Sequence, residues 1–312
     1  MQFVGWKKLE QKHKFWPQPV NKTQLAYSFT QNKIYFFGGK QVENDDQFDD
    51  LYSFSLTTQE WKKEKTKGKK PFKRSAHTFC GFKDTFWIWG ELNQKIESKK
   101  PEGRFSHSSV YYKGKIYIFG GINFFNNRLN DLWEFDTNTK KWKEFERKGV
   151  FIQPRSSHFM EIYNDKIILF GGRISLRQRE NAVYFFDLFS NSWSKLDLSE
   201  QNIAPDPLSG SSCFIYEDFF FVFSGFSDKS GYTSDFWVLD IHNKKWKKLT
   251  NSNQPSKRFG ASCVKISPTK FILFGGQDLN SITNNELWVF ITQYEVVRDF
   301  QIFQNEKILC DF

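Results

Sequence analysis

The chain has 312 residues, 39% hydrophobic and 19% aromatic, and its 45 basic against 35 acidic side chains leave a formal charge of +10. That length supports one sizeable, phenylalanine-rich core without a second domain, while the four cysteines, none in a C-x-x-C pair, indicate neither zinc nor a disulfide framework. No apolar run approaches a membrane span, the start carries no apolar leader, and the positive balance favours an acidic partner without choosing its kind, so a cytoplasmic protein is the expectation.

In chain order, Trp6-Lys7-Lys8-Leu9 reads as a strand that precedes any glycine pair. The first full unit follows from about residue 26 to 65. Its second strand, Lys33 to Phe37, ends in Gly38-Gly39, and a polar loop over 41–49 leads to Leu51-Tyr52 and then to Trp61-Lys62-Lys63. The basic run over 65–73 reads as a solvated connection.

The second unit has strands near 76–82 and 85–90, but only fourteen residues separate Gly90 from Arg104, so two outer strands have no room: either the unit is truncated, with 93–98 as a makeshift edge, or the sequence has lost a segment. The third, fourth, fifth and sixth units follow at near-regular spacing. They carry Gly120-Gly121, Gly171-Gly172, Ser224-Gly225 and Gly275-Gly276, with tryptophans at Trp142, Trp193 and Trp246. After Leu287-Trp288 the position for a fourth-strand tryptophan holds Val297. The orphan strand at 3–10 is therefore expected to complete the last unit and close the chain on itself, with 1–291 as one domain and 292–312 as a C-terminal extension; a strand over 296–300 is the alternative.

Counted between the first residues of successive pairs, the intervals are 52, 30, 51, 53 and 51. A Leu/aromatic pair about eleven residues past the glycines and a tryptophan ten residues later make each unit four strands. The glycines allow positive φ and a close backbone approach at the strand end.

This pattern resembles the kelch repeat, whose period is about fifty residues and whose units are blades of a β-propeller. The resemblance implies an all-β, six-bladed propeller with a degenerate, shortened second blade, closed by the N-terminal strand. Its structural glycines would be Gly38, Gly39, Gly120, Gly121, Gly171, Gly172, Gly275 and Gly276. Its structural tryptophans would be Trp6, Trp61, Trp142, Trp193 and Trp246.

The resemblance also implies a non-catalytic interaction module or scaffold subunit of a larger assembly, of cytoskeletal or ubiquitin-ligase type. Kelch folds serve enzymes too, so a sugar or small-molecule enzyme working in the central channel is one alternative, and a basic, nucleic-acid-binding propeller is another. Neither an iron-type Glu-x-x-x-Asp-x-x-x-His grouping nor a phosphate-binding string is present, and no cofactor or metal is expected.

Two side-chain series recur at the entry to the first strands. Lys22, Arg74, Arg104, Arg155 and Arg258 place a cation in five of the six units. They are the candidate partner-binding residues at one propeller mouth, where they would attract an acidic loop or tail; arginines tying neighbouring blades together is the competing reading. In kelch ubiquitin-ligase adaptors, arginines at the place of Arg74, Arg104, Arg155 and Arg258 bind acidic peptides, which is the resemblance's contribution. His77, His107 and His158 share one repeat position and read as structural, since a ring of equivalent positions is not a ligand cluster. Cys80, Cys213 and Cys263 read as small buried apolar residues of first strands.

Overall fold

A computed structural model describes residues 5–10, 15–82, 84–90, 100–199, 203–250 and 253–292. Among them there is no helix, and hence none long and apolar enough to cross a membrane. The strands form antiparallel sheets arranged as a β-propeller, and we number its sectors in chain order.

Five sectors are complete. Sector 1 comprises Leu25–Ser28, Lys33–Phe37, Leu51–Ser55 and Glu60–Lys63. Sector 3 comprises Ser108–Tyr112, Lys115–Asn123, Arg128–Asp136 and Trp142–Glu144, with the short Arg104–Phe105 paired to the far end of its second strand. Sector 4 comprises Phe159–Tyr163, Lys166–Phe170, Val183–Asp187 and Ser192–Lys195. Sector 5 comprises Ser212–Tyr216, Phe219–Ser227, Gly231–Asp240 and Lys245–Leu249. Sector 6 runs Ser262–Ser267, Lys270–Phe274 and Leu287–Ile291, and its fourth strand is Gly5–Leu9 from the other end of the chain, with Trp6 opposite Phe290.

Sector 2 differs. Its described strands are Thr78–Phe82 and Thr85–Trp89 alone, so six blades are expected and five complete ones are observed beside a two-stranded sheet. A third strand drawn from 93–98 lies outside the described residues, as do the alternative strand over 296–300, Cys310 and nearly all of the C-terminal extension.

The tryptophans explain how one sheet packs on the last. Trp61 sits 5.0 Å from Phe274, Trp142 4.6 Å from Trp89, Trp193 5.3 Å from Phe119, Trp246 5.8 Å from Phe170, and Trp6 5.0 Å from Phe223. In each case the partner is the residue just before the first position of the preceding sector's glycine pair. An aromatic ring thus reaches from an outermost strand across to the neighbour, and large apolar area leaves water at every such seam.

Glycine is needed at the pairs because the next sector enters there. Gly171 has φ +67°, and a Cβ on it would lie 2.7 Å from the Leu208 carbonyl oxygen; Gly275, at +75°, would meet Val20 O at 2.5 Å. The second glycine of each pair donates its N–H across the joint, Gly39 to Arg74 O at 2.9 Å and Gly121 to Arg155 O at 2.9 Å. Ser224 keeps the same conformation at φ +64°, and its Oγ turns to the Thr233 carbonyl at 2.9 Å.

Around the axis the entries form a closed ring. The N–H of Ala76 donates to Lys22 O, Ser106 to Ala76, Ser157 to Ser106, Gly210 to Ser157, Gly260 to Gly210 and Lys22 to Gly260, at 2.7 to 3.1 Å. All six residues have positive φ, between 51° and 70°. Each residue spends its donor on one neighbour and its acceptor on the other, which satisfies backbone groups that strand pairing leaves over.

Candidate interaction face

The ring marks one end of the molecule. The strand entries pair with the segments just past the glycine pairs through single bridges, Asn21 to Lys40, Ser156 to Arg173, Ser209 to Phe226 and Phe259 to Gln277. Entries and loops therefore make a single face around the mouth of the channel.

The arginines expected to line that mouth do not face it. Arg104 and Arg155 are 0% exposed and Arg258 is 1% exposed. Each guanidinium is spent inside its own sector by one recipe. Nε donates to the carbonyl two residues back (Glu102, Gln153 or Ser256), and Nη1 donates to the carbonyl of the first glycine, Gly120 O at 3.1 Å, Gly171 O at 2.9 Å and Gly275 O at 3.1 Å. The fork then closes on a carboxylate from the start of the third strand: Asp131 with both oxygens at 2.6 and 2.8 Å, Glu180 at 2.6 Å, Glu286 at 2.8 Å. Arg74 repeats the first two bonds, to Phe72 O and Gly90 O, each at 3.0 Å. A planar fork with five donors matches this set of acceptors, so these residues clamp a sector rather than bind a partner.

Lys22 is not their equivalent. The turn between the first two strands of sector 1 spans Phe29 to Asn32, two residues longer than Lys113-Gly114 in sector 3, so counting back from Gly38 overshoots by two. Val20 occupies the arginine place, its carbonyl accepting from Gly276 at 3.0 Å as Arg74 O accepts from Gly39. Lys22 belongs to the ring, and burial, with Lys40 second, lowers its pKa while Asp45 acts against them. The five-cation funnel is thus replaced by four clamps and a ring lysine.

The histidines wedge between sectors. The His77 ring stands edge-on to Phe37 at 6.0 Å and His158 edge-on to Phe119 at 5.4 Å, while Thr78 Oγ1 lies 2.9 Å from His107 Nε2. Burial, helped by Arg74 and Arg155, takes His77 and His158 down to about 3, and His107 also falls well below its ordinary value, through burial first. They are neutral packing groups at any physiological pH. Among the described residues no three His, Cys, Asp or Glu side chains stand together as a metal site would require.

What the face does present is a different set of cations. Arg128 of sector 3 and Arg173 and Arg179 of sector 4 approach one another closely enough that the latter two, after burial, depress the Arg128 pKa. Arg179 is anchored by Ser209 Oγ at 2.8 Å and by Asp228, with its guanidinium 4.4 Å from the centre of the Phe226 ring. Arg173 shapes the hairpin beside it by donating to Ser175 O and Leu176 O. Among the described residues neither Arg128 nor Arg173 is ion-paired, and the buried Arg128 Nε has no hydrogen-bond partner. The loops that carry these arginines also expose Phe124 and Phe125, at 65% and 76%, and Leu176 at 77%.

Sequence reasoning passed over these residues because they recur at no repeat position. The one available signal is local: Arg173, Arg177 and Arg179 crowd a single hairpin. The two-stranded hairpin Arg173–Ser175 and Gln178–Arg179 then holds them on the face.

The fold and this face define a kelch-type propeller, and comparison with known proteins agrees. The KLHDC2/KLHL20/DRC7 Kelch-repeats domain matches residues 4–96, 91–276 and 201–307. The chain belongs to the kelch-repeat family.

Among curated relatives, bovine Kelch domain-containing protein 3 is 30% identical over 252 residues, covering 78% of this chain and 58% of that protein. Mouse Kelch domain-containing protein 1 is 30% identical over 177 residues, covering 54% of this chain and 43% of that protein. The flagellar outer-arm dynein alpha chain of Chlamydomonas reinhardtii is 27% identical over 169 residues, 49% of this chain and 4% of that one. The chain spans about half the length of the Kelch domain-containing proteins it matches.

Proposed function

We propose that this chain is a non-catalytic docking propeller, a ring of six sectors with the second reduced to its inner strands, which serves as one subunit of a larger cytoplasmic assembly and captures an acidic loop or tail. The observation that carries this reading is the cluster of Arg128, Arg173 and Arg179, where two guanidiniums lie close together without an acidic partner among the described residues. Like charges brought near one another by two neighbouring sectors are a cost that a carboxylate-bearing segment removes, and bidentate pairing would fix its direction. Phe124, Phe125 and Leu176 would cover the apolar side chains of the same segment. A cytoskeletal setting is supported weakly, by the matched relative named as a flagellar dynein chain.

The test uses a fluorescent hexaglutamate peptide ending in phenylalanine, followed by anisotropy at low and physiological salt. Arg128→Glu with Arg173→Glu should abolish binding, whereas Lys62→Glu with Lys143→Glu, the same charge change on outer strands, should weaken it only at low salt. Equal losses in both variants would overturn the reading.

A further inference from the structure

The first strands of all six sectors enclose a central cavity of about 400 Å³, within the range of small-ligand sites. Most of its wall is explained by packing and by the ring of backbone bonds. One lining side chain is not: Glu161, on the first strand of sector 4. It is half-buried at the cavity wall, and the one hydrogen bond its carboxylate receives among the described residues is from the N–H of Ile162, at 3.0 Å.

The repeat shows that packing does not ask for a carboxylate there. Counting four residues on from the ring residue, the equivalents of Glu161 are Ala26, Cys80, Val110, Phe214 and Val264, all apolar or nearly so. Ala26, Cys80, Val110 and Val264 line the cavity with Glu161, while Phe214 is packed into the core beside it, so the wall is asymmetric. A half-buried carboxylate without an ion-pair partner among the described residues still gives up hydration, and a position that tolerates alanine or valine elsewhere gives no structural reason to keep it.

We propose that the cavity binds a small ammonium-bearing molecule through the Glu161 carboxylate. The apolar equivalents leave room for an alkyl body, and Ile162 N–H orients the acid so that its second oxygen is available to the ligand. Burial raises the Glu161 carboxyl, while the Ile162 amide and the charge of Lys265 pull it down; the carboxylate in turn helps raise the Cys263 thiol. Lys265, on the first strand of sector 6, also lines the cavity and has no ion-pair partner among the described residues. A molecule carrying a carboxylate as well as an ammonium could use both walls, so two sources share the recognised chemistry, a plain amine and an ω-amino acid.

The experiment titrates the full chain calorimetrically with butylamine, 5-aminopentanoate and pentanoate. Butylamine is expected to bind saturably and pentanoate not to bind, and Glu161→Gln should weaken amine binding at least about tenfold, the loss expected when a charged hydrogen-bond partner is removed. If 5-aminopentanoate binds more tightly than butylamine and Lys265→Ala removes only that advantage, the ligand is zwitterionic; equal affinities assign a simple amine. Absence of amine binding to the native chain, or equal binding by the Glu161→Gln variant, overturns the proposal.

A second readout needs no variant. Butylamine, but not pentanoate, should raise the melting temperature of the native chain progressively with its concentration. An unchanged melting temperature would count against the site even if Glu161→Gln failed to fold. Arg128→Glu with Arg173→Glu should leave both readouts unaltered, which separates this cavity from the docking face.

Discussion

The seam between sectors 1 and 2 and the seam between sectors 3 and 4 are built from the same inner parts and different outer ones. Near the axis they match: Gly39 donates to Arg74 O and Gly121 to Arg155 O, both at 2.9 Å, and His77 and His158 wedge against Phe37 and Phe119. Farther out they part. The first seam buries Ala26, Tyr35 and Phe79, whereas the second buries a cluster that runs from Tyr117 and Phe119 through Met160 and Leu169 to Trp193. The two described strands of sector 2 already make the inner joints, and the outer strands of a complete sector add the apolar area that holds neighbours together.

Three changes would break that contrast. The largest effect is expected from Trp193→Ala, which strips the seam between sectors 3 and 4 of its tryptophan and should cost about 3–5 kcal/mol, the range for truncating a buried large aromatic. Urea denaturation should show a much smaller loss for Phe79→Ala at the first seam, and equal losses would mean that the inner joints alone carry the stability.

Arg155→Met should come next. It leaves Glu180 and the Gly171 carbonyl without their donor, and since Glu180 is 24% exposed and partly rehydrated, about 2–3 kcal/mol is expected, below the usual cost of halving a buried pair. Arg74→Met in sector 2 should cost less, because Arg74 is half-buried where Arg155 is fully buried. A reversed order in urea midpoints would refute the clamp.

The smallest effect is a titration. Burial alone would raise the Glu286 carboxyl, but hydrogen bonds from Lys8, Arg258 and Trp288 outweigh it and bring it from 4.5 to about 2. A depressed carboxyl contributes stability above its unfolded pKa and loses it as pH falls through the folded one. The melting temperature should therefore drop as pH goes from about 4.5 toward 2, and Glu286→Gln should flatten that part of the curve. Since Lys8 belongs to the N-terminal strand, the same titration reports on how firmly that strand is held in sector 6.

Much of this was legible in the sequence, for a physical reason: a ring of like sheets makes the same demand at each joint. Positive φ and close backbone approach select glycine at Gly38, Gly120, Gly171 and Gly275, and the reach from an outer strand to the neighbouring sheet selects tryptophan, so both recur at countable distances. The Trp6-Lys7-Lys8 strand could be placed because the last repeat lacked that tryptophan. Only the tertiary structure decided the rest. Whether an arginine at a strand entry points to the mouth or folds back on Gly171 and Glu180 depends on carbonyls and carboxylates from other strands, which spacing does not reveal. Two extra turn residues moved the true equivalent of the arginines from Lys22 to Val20. Arg128, Arg173 and Arg179 became a single charged patch because loops of neighbouring sectors converge on one face, and Glu161 came to face the axis because six first strands meet there; adjacency across the ring leaves no trace in a period.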